Sequence, residues 1–272
     1  MIDFFEQLKQ KAYGVRTETL KLHKLAPETR LASSLSDVEI FTVLYYGGII
    51  NYNCQDLDCE SRDRLIVSKA HGAVSLYPIF ADLNFFEKVE LTRINKEHAL
   101  LGVIPDNSIP GFETTNGSLC HGLGVACGMA MGMRKKGLDS KVFVVCGDGE
   151  LNSGAVWEAV MLASFHQLNN LILIVDDNKR SMLGYQKQIL GLEPLAEKFK
   201  AFKWSAETVD GHDVKQLHKA LNSFKNAQND KPTVLIAETI KGKGIPLLEK
   251  DPICHVKTIS AEQIDTILEG RE

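Results

Sequence analysis

Residues 147–178 read GDGELNSGAVWEAVMLASFHQLNNLILIVDDN, and this stretch decides the fold. The preceding KVFVVC is apolar and β-branched, so Val142 to Cys146 is predicted as a strand buried on both faces, as parallel strands are, ending at a glycine turn. SGAVWEAVMLASFHQ carries apolar residues at helical spacing, and a second apolar run, Leu171 to Val175, closes on Asp176, Asp177 and Asn178. Together these form one βαβ crossover. Such crossovers are right-handed and place the carboxyl ends of both strands on one sheet edge, so Asp148 and Asn178 are predicted to converge there. Two hard oxygen donors in one cleft suit Mg²⁺, with Ca²⁺ or Mn²⁺ as substitutes, because Mg²⁺ takes one or two protein side chains and completes its shell with phosphate and water. Gly147 and Gly149 let the backbone pass close to phosphate oxygens, and the amino end of the following helix offers free N–H groups. The plain alternative for GDG alone is a strand-to-helix turn with no ligand.

Three further segments bear on the same reading. Residues 61–80 are SRDRLIVSKAHGAVSLYPIF, residues 110–137 are PGFETTNGSLCHGLGVACGMAMGMRKKG, and residues 240–257 are IKGKGIPLLEKDPICHVK. Taken with GDG and the terminal asparagine, these motifs, in this order, resemble the thiamine-diphosphate enzymes and, among them, the amino-terminal half of transketolase. The resemblance implies an α/β fold, a single three-layer domain over residues 1–272 with a mainly parallel sheet flanked by helices. It implies that Asp148, Asn178 and the carbonyl of Arg180 hold the metal, and that Gly147, Asp148, Gly149 and Asn178 line the cofactor with Gly117 and Leu119. It also implies that His71 and His255 steady the diphosphate or the reacting oxygens, and that His121 meets the substrate, so that the three histidines are the catalytic candidates.

Each motif also has a structural reading. His71 fits a surface or helix-capping histidine, His121 a packed core histidine, His255 a loop residue, and the KGKG lysines a solvated turn, although their position after the strand TVLIAETI puts them on the sheet edge of Asp148. The helix GLGVACGMAMGM is rich in small residues, which points to close packing against a second subunit.

The chain departs from the usual transketolase pattern in three places. Where the family reads SGHPGGSLS, residues 26–36 read APETRLASSLS, which puts Arg30 in the position of a substrate-contacting histidine; Ile104 replaces another, and Ser153 stands for an interface glutamate. Arg30 is either a fixed positive fork for a carboxylate, sulfonate or phosphate, or a surface arginine in a remodelled loop. A specialised ketol transfer on a modified sugar or acidic donor fits these changes better than the housekeeping reaction.

At 272 residues with 44% hydrophobic content, the chain can build one full core and shows no internal linker. The net charge of −4 with scattered basic residues argues against a nucleic-acid surface, and MIDFFEQLKQK is neither a signal peptide nor a membrane span, which predicts a cytoplasmic protein. The six cysteines, at 54, 59, 120, 127, 146 and 254, include no C-x-x-C pair and read as reduced thiols; a zinc site at Cys54 and Cys59 is disfavoured. Elsewhere the pattern predicts an amphipathic helix from Asp3 to Leu25, a Ser36/Glu39 capping box opening a helix through Tyr46, and a strand at Leu65 to Ser68. Helices are predicted over Gly72 to Asp82, Leu119 to Lys135 and Asp213 to Ala227. Strands are predicted at Trp204 to Thr208 and Thr233 to Glu238, a loop at Tyr185 to Leu192, and an aperiodic stretch from Arg93 to Asn116.

A transketolase resembles three consecutive domains, and only the diphosphate-binding one matches here. In the family the second domain supplies the aminopyrimidine pocket and its glutamate across a subunit interface. The resemblance therefore implies a split enzyme in which a separately encoded chain carries the pyrimidine-binding and carboxyl-terminal domains, as an α₂β₂ assembly acting on a small sugar. Two other readings stand beside it: the α subunit of a thiamine-dependent 2-oxo-acid decarboxylase or dehydrogenase, and a non-catalytic structural subunit.

Overall fold

A computed structural model describes residues 3–270. Five parallel strands form the central sheet: β1 (Arg64–Val67), β2 (Val142–Gly147), β3 (Leu171–Asp177), β6 (Ser205–Asp210) and β7 (Thr233–Glu238), in the order β1-β2-β3-β7-β6. The two short strands β4 (Arg180–Ser181) and β5 (Gly184–Tyr185) make a separate hairpin just past the end of β3. Side chains of β2 alternate between two cores. Phe143 and Val145 pack with the helices Phe4–Leu25, Val38–Tyr46 and Val214–Lys225 on one face, while Val142, Val144 and Cys146 pack with the helices Gly122–Lys135 and Gly154–Phe165 on the other. Helices on both faces explain why the central strands read as unbroken apolar runs. Burial in β2 and β3 is complete.

The register pairs Gly147 with Asp176 and Asp177 with Glu238, so β2, β3 and β7 end level with one another. The residues just beyond them, Asp148, Asn178 and Thr239 to Lys241, therefore share one edge with Ser68 to His71, which follow β1.

Several local expectations change. The Ser36/Glu39 capping box does not form: Ser36 ends a short helix, Leu31–Ser36, and its hydroxyl is drawn to Asp176 (2.7 Å), while Glu39 pairs with Arg16, so tertiary partners outcompete the local cap. Residues Ala70–Ser75 form a 3₁₀ turn before the α-helix Leu76–Asp82, and within it Gly72 passes so close to the Lys69 side chain that an added Cβ would lie 2.5 Å from its Cε. The helix after the GSLCHG segment begins at Gly122, not Leu119, and the predicted loop from Tyr185 contains the helix Gln186–Leu190. The stretch 94–116 is without helix or strand, as its lack of period predicts.

Ile174 sits at the middle of β3 with no exposed surface. Ile174→Ala is expected to lower unfolding free energy by about 2–5 kcal/mol, read from the urea midpoint at unchanged slope.

Candidate functional site

Asp176, fully buried at the end of β3, organises the carboxyl edge of the sheet. Its Oδ2 accepts from Ser36 Oγ (2.7 Å), Lys69 Nζ (2.5 Å) and Asn178 Nδ2 (2.8 Å), and its Oδ1 accepts from the hydroxyl of Thr239. Lys69 reaches a second carboxylate, Asp37, at 2.6 Å, and donates to the Ser33 carbonyl at 3.3 Å. Burial opposes ionisation of Asp176, but Lys69 and these hydrogen bonds hold its carboxyl down at about 2; Asp37, also fully buried, is pushed well up.

With its amide N–H given to Asp176, Asn178 presents its oxygen, which accepts from the Arg180 backbone N–H at 3.1 Å. Between them Lys179 adopts a left-handed backbone, φ 61°, which folds the chain back at this point. The Arg180 guanidinium turns away to the carbonyls of Leu248, Glu249 and Asp251, so only its own carbonyl serves the cleft, and there it accepts from Lys241 Nζ at 3.0 Å.

Asp148 is buried, and among the described residues one of its carboxylate oxygens, Oδ2, has no hydrogen-bond partner; the other accepts from Gly149 N–H at 2.9 Å. Burial, together with Asp176 and Asp177, raises its carboxyl to about 7. An orphaned buried carboxylate oxygen beside an oriented amide oxygen and a carbonyl is a donor set suited to a hard cation. Among the described residues no group of three His, Cys, Asp or Glu side chains could hold a metal, so such a site would draw on amide and carbonyl oxygens and on oxygens from outside this chain. Added Cβ atoms at Gly147 and Gly149 would meet nothing closer than 3.6 and 3.8 Å, so the packing of this chain does not by itself require either glycine.

His71 and His255 meet edge to face, ring centroids 4.8 Å apart, with Ser33 Oγ 3.5 Å from His255 Nδ1. Burial first, and then the nearby cations Lys69, Lys241 and Arg30, lower both, to about 2 for His71 and about 4 for His255. Arg30 is exposed at the start of the helix Leu31–Ser36, and among the described residues it has no acidic partner. The other sequence candidates lie farther out. Gly117 and Leu119 are exposed, with open space around Gly117, and His121 is exposed at the start of the helix Gly122–Lys135, which corrects the packed-core reading. Glu150 ties this loop to the GDG turn: it accepts from Ser68 Oγ (2.6 Å), Cys120 N–H (2.7 Å) and Gly147 N–H (2.8 Å). Ile104 is exposed and Ser153 half-buried.

Sequence reasoning singled out neither Lys69, Asp176 nor Glu150. The available signal was a charge placed where an otherwise apolar strand ends, as at Val175–Asp176 and Ser68–Lys69.

Comparison with known proteins identifies the family. The family model described as the transketolase thiamine diphosphate binding domain matches residues 30–269. The chain belongs to the transketolase family. It is similar to an apulose-4-phosphate transketolase subunit of Actinobacillus succinogenes, 36% identical and covering 97% of this chain and 96% of that one. A 6-deoxy-6-sulfo-D-fructose transketolase subunit of Clostridium sp. is 32% identical, covering 94% and 92%. The crystal structure of transketolase from Campylobacter jejuni superposes with a TM-score of 0.88 at 27% identity, covering all of this chain but 43% of that one. The chain thus spans under half the length of that transketolase.

Removing Lys69 leaves two buried carboxylates unpaired. Lys69→Met is expected to cost about 3–5 kcal/mol in chemical denaturation, and the double variant Lys69→Met with Asp176→Asn should recover part of that loss. The two histidines set an acid dependence. Because their folded-state values lie below the unfolded value near 6.5, the unfolded chain binds more protons under that pH, so their contribution is intact above 6.5 and is lost as pH falls toward 4. His71→Asn should reduce the stability difference between pH 7.5 and 5 by about 2 kcal/mol relative to wild type.

Proposed function

We propose that this chain is the diphosphate-binding subunit of a split transketolase. With Mg²⁺, thiamine diphosphate and a separately encoded chain bearing the pyrimidine-binding and carboxyl-terminal domains, it transfers a two-carbon ketol unit from a ketose-type donor to an aldehyde. The observation that carries the reading is the buried, unpartnered Oδ2 of Asp148, set on the same sheet edge as the Asn178 amide and the Arg180 carbonyl. Asp148 Oδ2, Asn178 Oδ1 and the Arg180 carbonyl would hold the metal, and Asp176 keeps the asparagine turned with its oxygen outward. Lys69 and Lys241 would supply positive charge toward the diphosphate. His71 and His255, kept neutral by their surroundings, can hydrogen-bond to a reacting oxygen without adding charge. Thiamine diphosphate, when bound, supplies the electron sink for breaking a carbon–carbon bond next to a carbonyl.

A partner chain is supported by two relatives named as transketolase subunits and by the surface of this chain. Along the helix Gly122–Lys135, Gly124, Gly128 and Gly132 have open space where a side chain would stand, and Val125 and Met131 are exposed beside them. An α₂β₂ assembly is the arrangement we propose. Six free thiols support a cytoplasmic location. The relatives' names favour ketol transfer over the 2-oxo-acid decarboxylase reading, and the intact donor set argues against a purely structural subunit.

The finer proposal concerns the donor. Arg30, which among the described residues has no acidic partner, lies beside two neutral histidines and Lys241, a cluster complementary to an oxyanion, so the preferred donor carries a carboxylate, sulfonate or phosphate.

Two measurements test these readings. In the complex with its partner chain, calorimetry should show stoichiometric thiamine diphosphate binding with Mg²⁺, and Asp148→Ala should abolish it; turnover of pyruvate but of no ketose or hydroxypyruvate would instead establish the decarboxylase. Arg30→Gln should raise KM for an anionic donor about tenfold or more while leaving a neutral ketose and cofactor affinity unchanged. An equal loss on both donors would remove the anion-reading role.

A further inference from the structure

The turn that carries Lys241 is held from behind by a relay that reaches none of the proposed metal donors. The Ile240 N–H donates to His212 Nε2 at 2.8 Å, and His212 Nδ1 lies 2.8 Å from Glu39 Oε2. A backbone N–H can only donate, so Nε2 is the acceptor and Nδ1 carries the proton that Glu39 accepts; one neutral tautomer satisfies both ends. The other oxygen of Glu39 is taken by Arg16, whose guanidinium also donates to the carbonyls of Leu35 (2.8 Å) and Lys243 (3.1 Å). The turn is thus gripped at Ile240 by the histidine and at Lys243 by the arginine. Gly211 makes the approach possible: a Cβ there would lie 2.4 Å from the Thr239 methyl, so only glycine lets the His212 backbone lie against the end of β7. Thr239 and Lys241, the residues on either side of Ile240, in turn contact Asp176 and the Arg180 carbonyl.

We infer that His212 is a positioning residue for the cofactor cleft: by accepting the Ile240 N–H while donating to Glu39, it sets the backbone from which Thr239 reaches Asp176 and Lys241 reaches the Arg180 carbonyl. The inference rests on the reading of this cleft as the metal and diphosphate site. His212 touches neither the metal donors nor the paired histidines, so it acts through the backbone of this turn, directly at Ile240 and by way of Glu39 and Arg16 at Lys243. Without it, the Ile240 N–H loses its partner and the turn that carries Thr239 and Lys241 is free to shift.

Two variants separate this role from general packing. His212→Gln keeps a carbonyl oxygen at the reach of Nε2 and can still accept from Ile240, whereas His212→Asn is too short to do so. Two readouts are compared: hydrogen exchange at the Ile240 amide in the full chain, and the dissociation constant for thiamine diphosphate with Mg²⁺ in the complex with the partner chain. The asparagine variant should exchange about tenfold faster at Ile240 and bind the cofactor about tenfold more weakly, and the glutamine variant should restore both. Wild-type affinity in the asparagine variant would overturn the inference, as would equal losses in both variants accompanied by equal falls in Tm. Failure of the wild-type complex to bind thiamine diphosphate at all would overturn the cofactor reading instead.

Discussion

A single buried carboxylate, Asp176, joins the segments from which the cleft is built. It receives Ser36 from the first helical layer, Lys69 from the turn after β1, Asn178 from its own strand end and Thr239 from the end of β7. A charge removed from water costs several kcal/mol unless it is paired and its lone pairs are used, and here both conditions are met. That requirement selects one arrangement of four chain segments, because any other leaves an ion buried without its partner. The amide of Asn178 is oriented as a by-product: with Nδ2 committed to Asp176, the oxygen faces the cleft.

The surroundings of Asp148 are the complement of this arrangement. Where Asp176 is saturated with donors, Asp148 keeps a buried oxygen with none, and burial beside Asp176 and Asp177 holds its carboxyl at about 7. Lys241 meanwhile is lowered by its own burial and by Lys69 while Asp148 and Asp176 pull it back up. A divalent cation with an anionic ligand answers both strains, supplying charge to the orphaned oxygen and negative charge to the lysines and Arg30. The same low polarity keeps His71 and His255 uncharged, which suits groups that orient an oxygen more than groups that carry protons far.

Much of this was legible before the structure. The βαβ unit around GDG was written in unbroken β-branched runs and in helical spacing, both consequences of a sheet covered on two faces, and the convergence of Asp148 with Asn178 followed from the handedness of the crossover. Those features are local or set by a strong rule. What stayed hidden was long-range pairing. Nothing within a few residues of Ser36 says that its hydroxyl serves Asp176, 140 positions away, in place of a helix cap. Nor does the KGKG turn announce that it hangs from His212. His121, Gly117 and Leu119 mark the other limit: they lie on an exposed rim, at the start of a helix with an open glycine face, where a second chain would be needed to enclose them.

The most direct test of the central claim is a crystal structure of the complex with its partner chain, grown with thiamine diphosphate and Mn²⁺ in place of Mg²⁺ and measured for anomalous scattering. The account predicts one strong manganese peak within about 2.3 Å of Asp148 Oδ2, Asn178 Oδ1 and the Arg180 carbonyl oxygen, bridged to the diphosphate, with Lys241 displaced from that carbonyl. A bound cofactor whose metal lies elsewhere, or a cleft in which Lys241 still holds the Arg180 carbonyl and no anomalous peak appears, would contradict it.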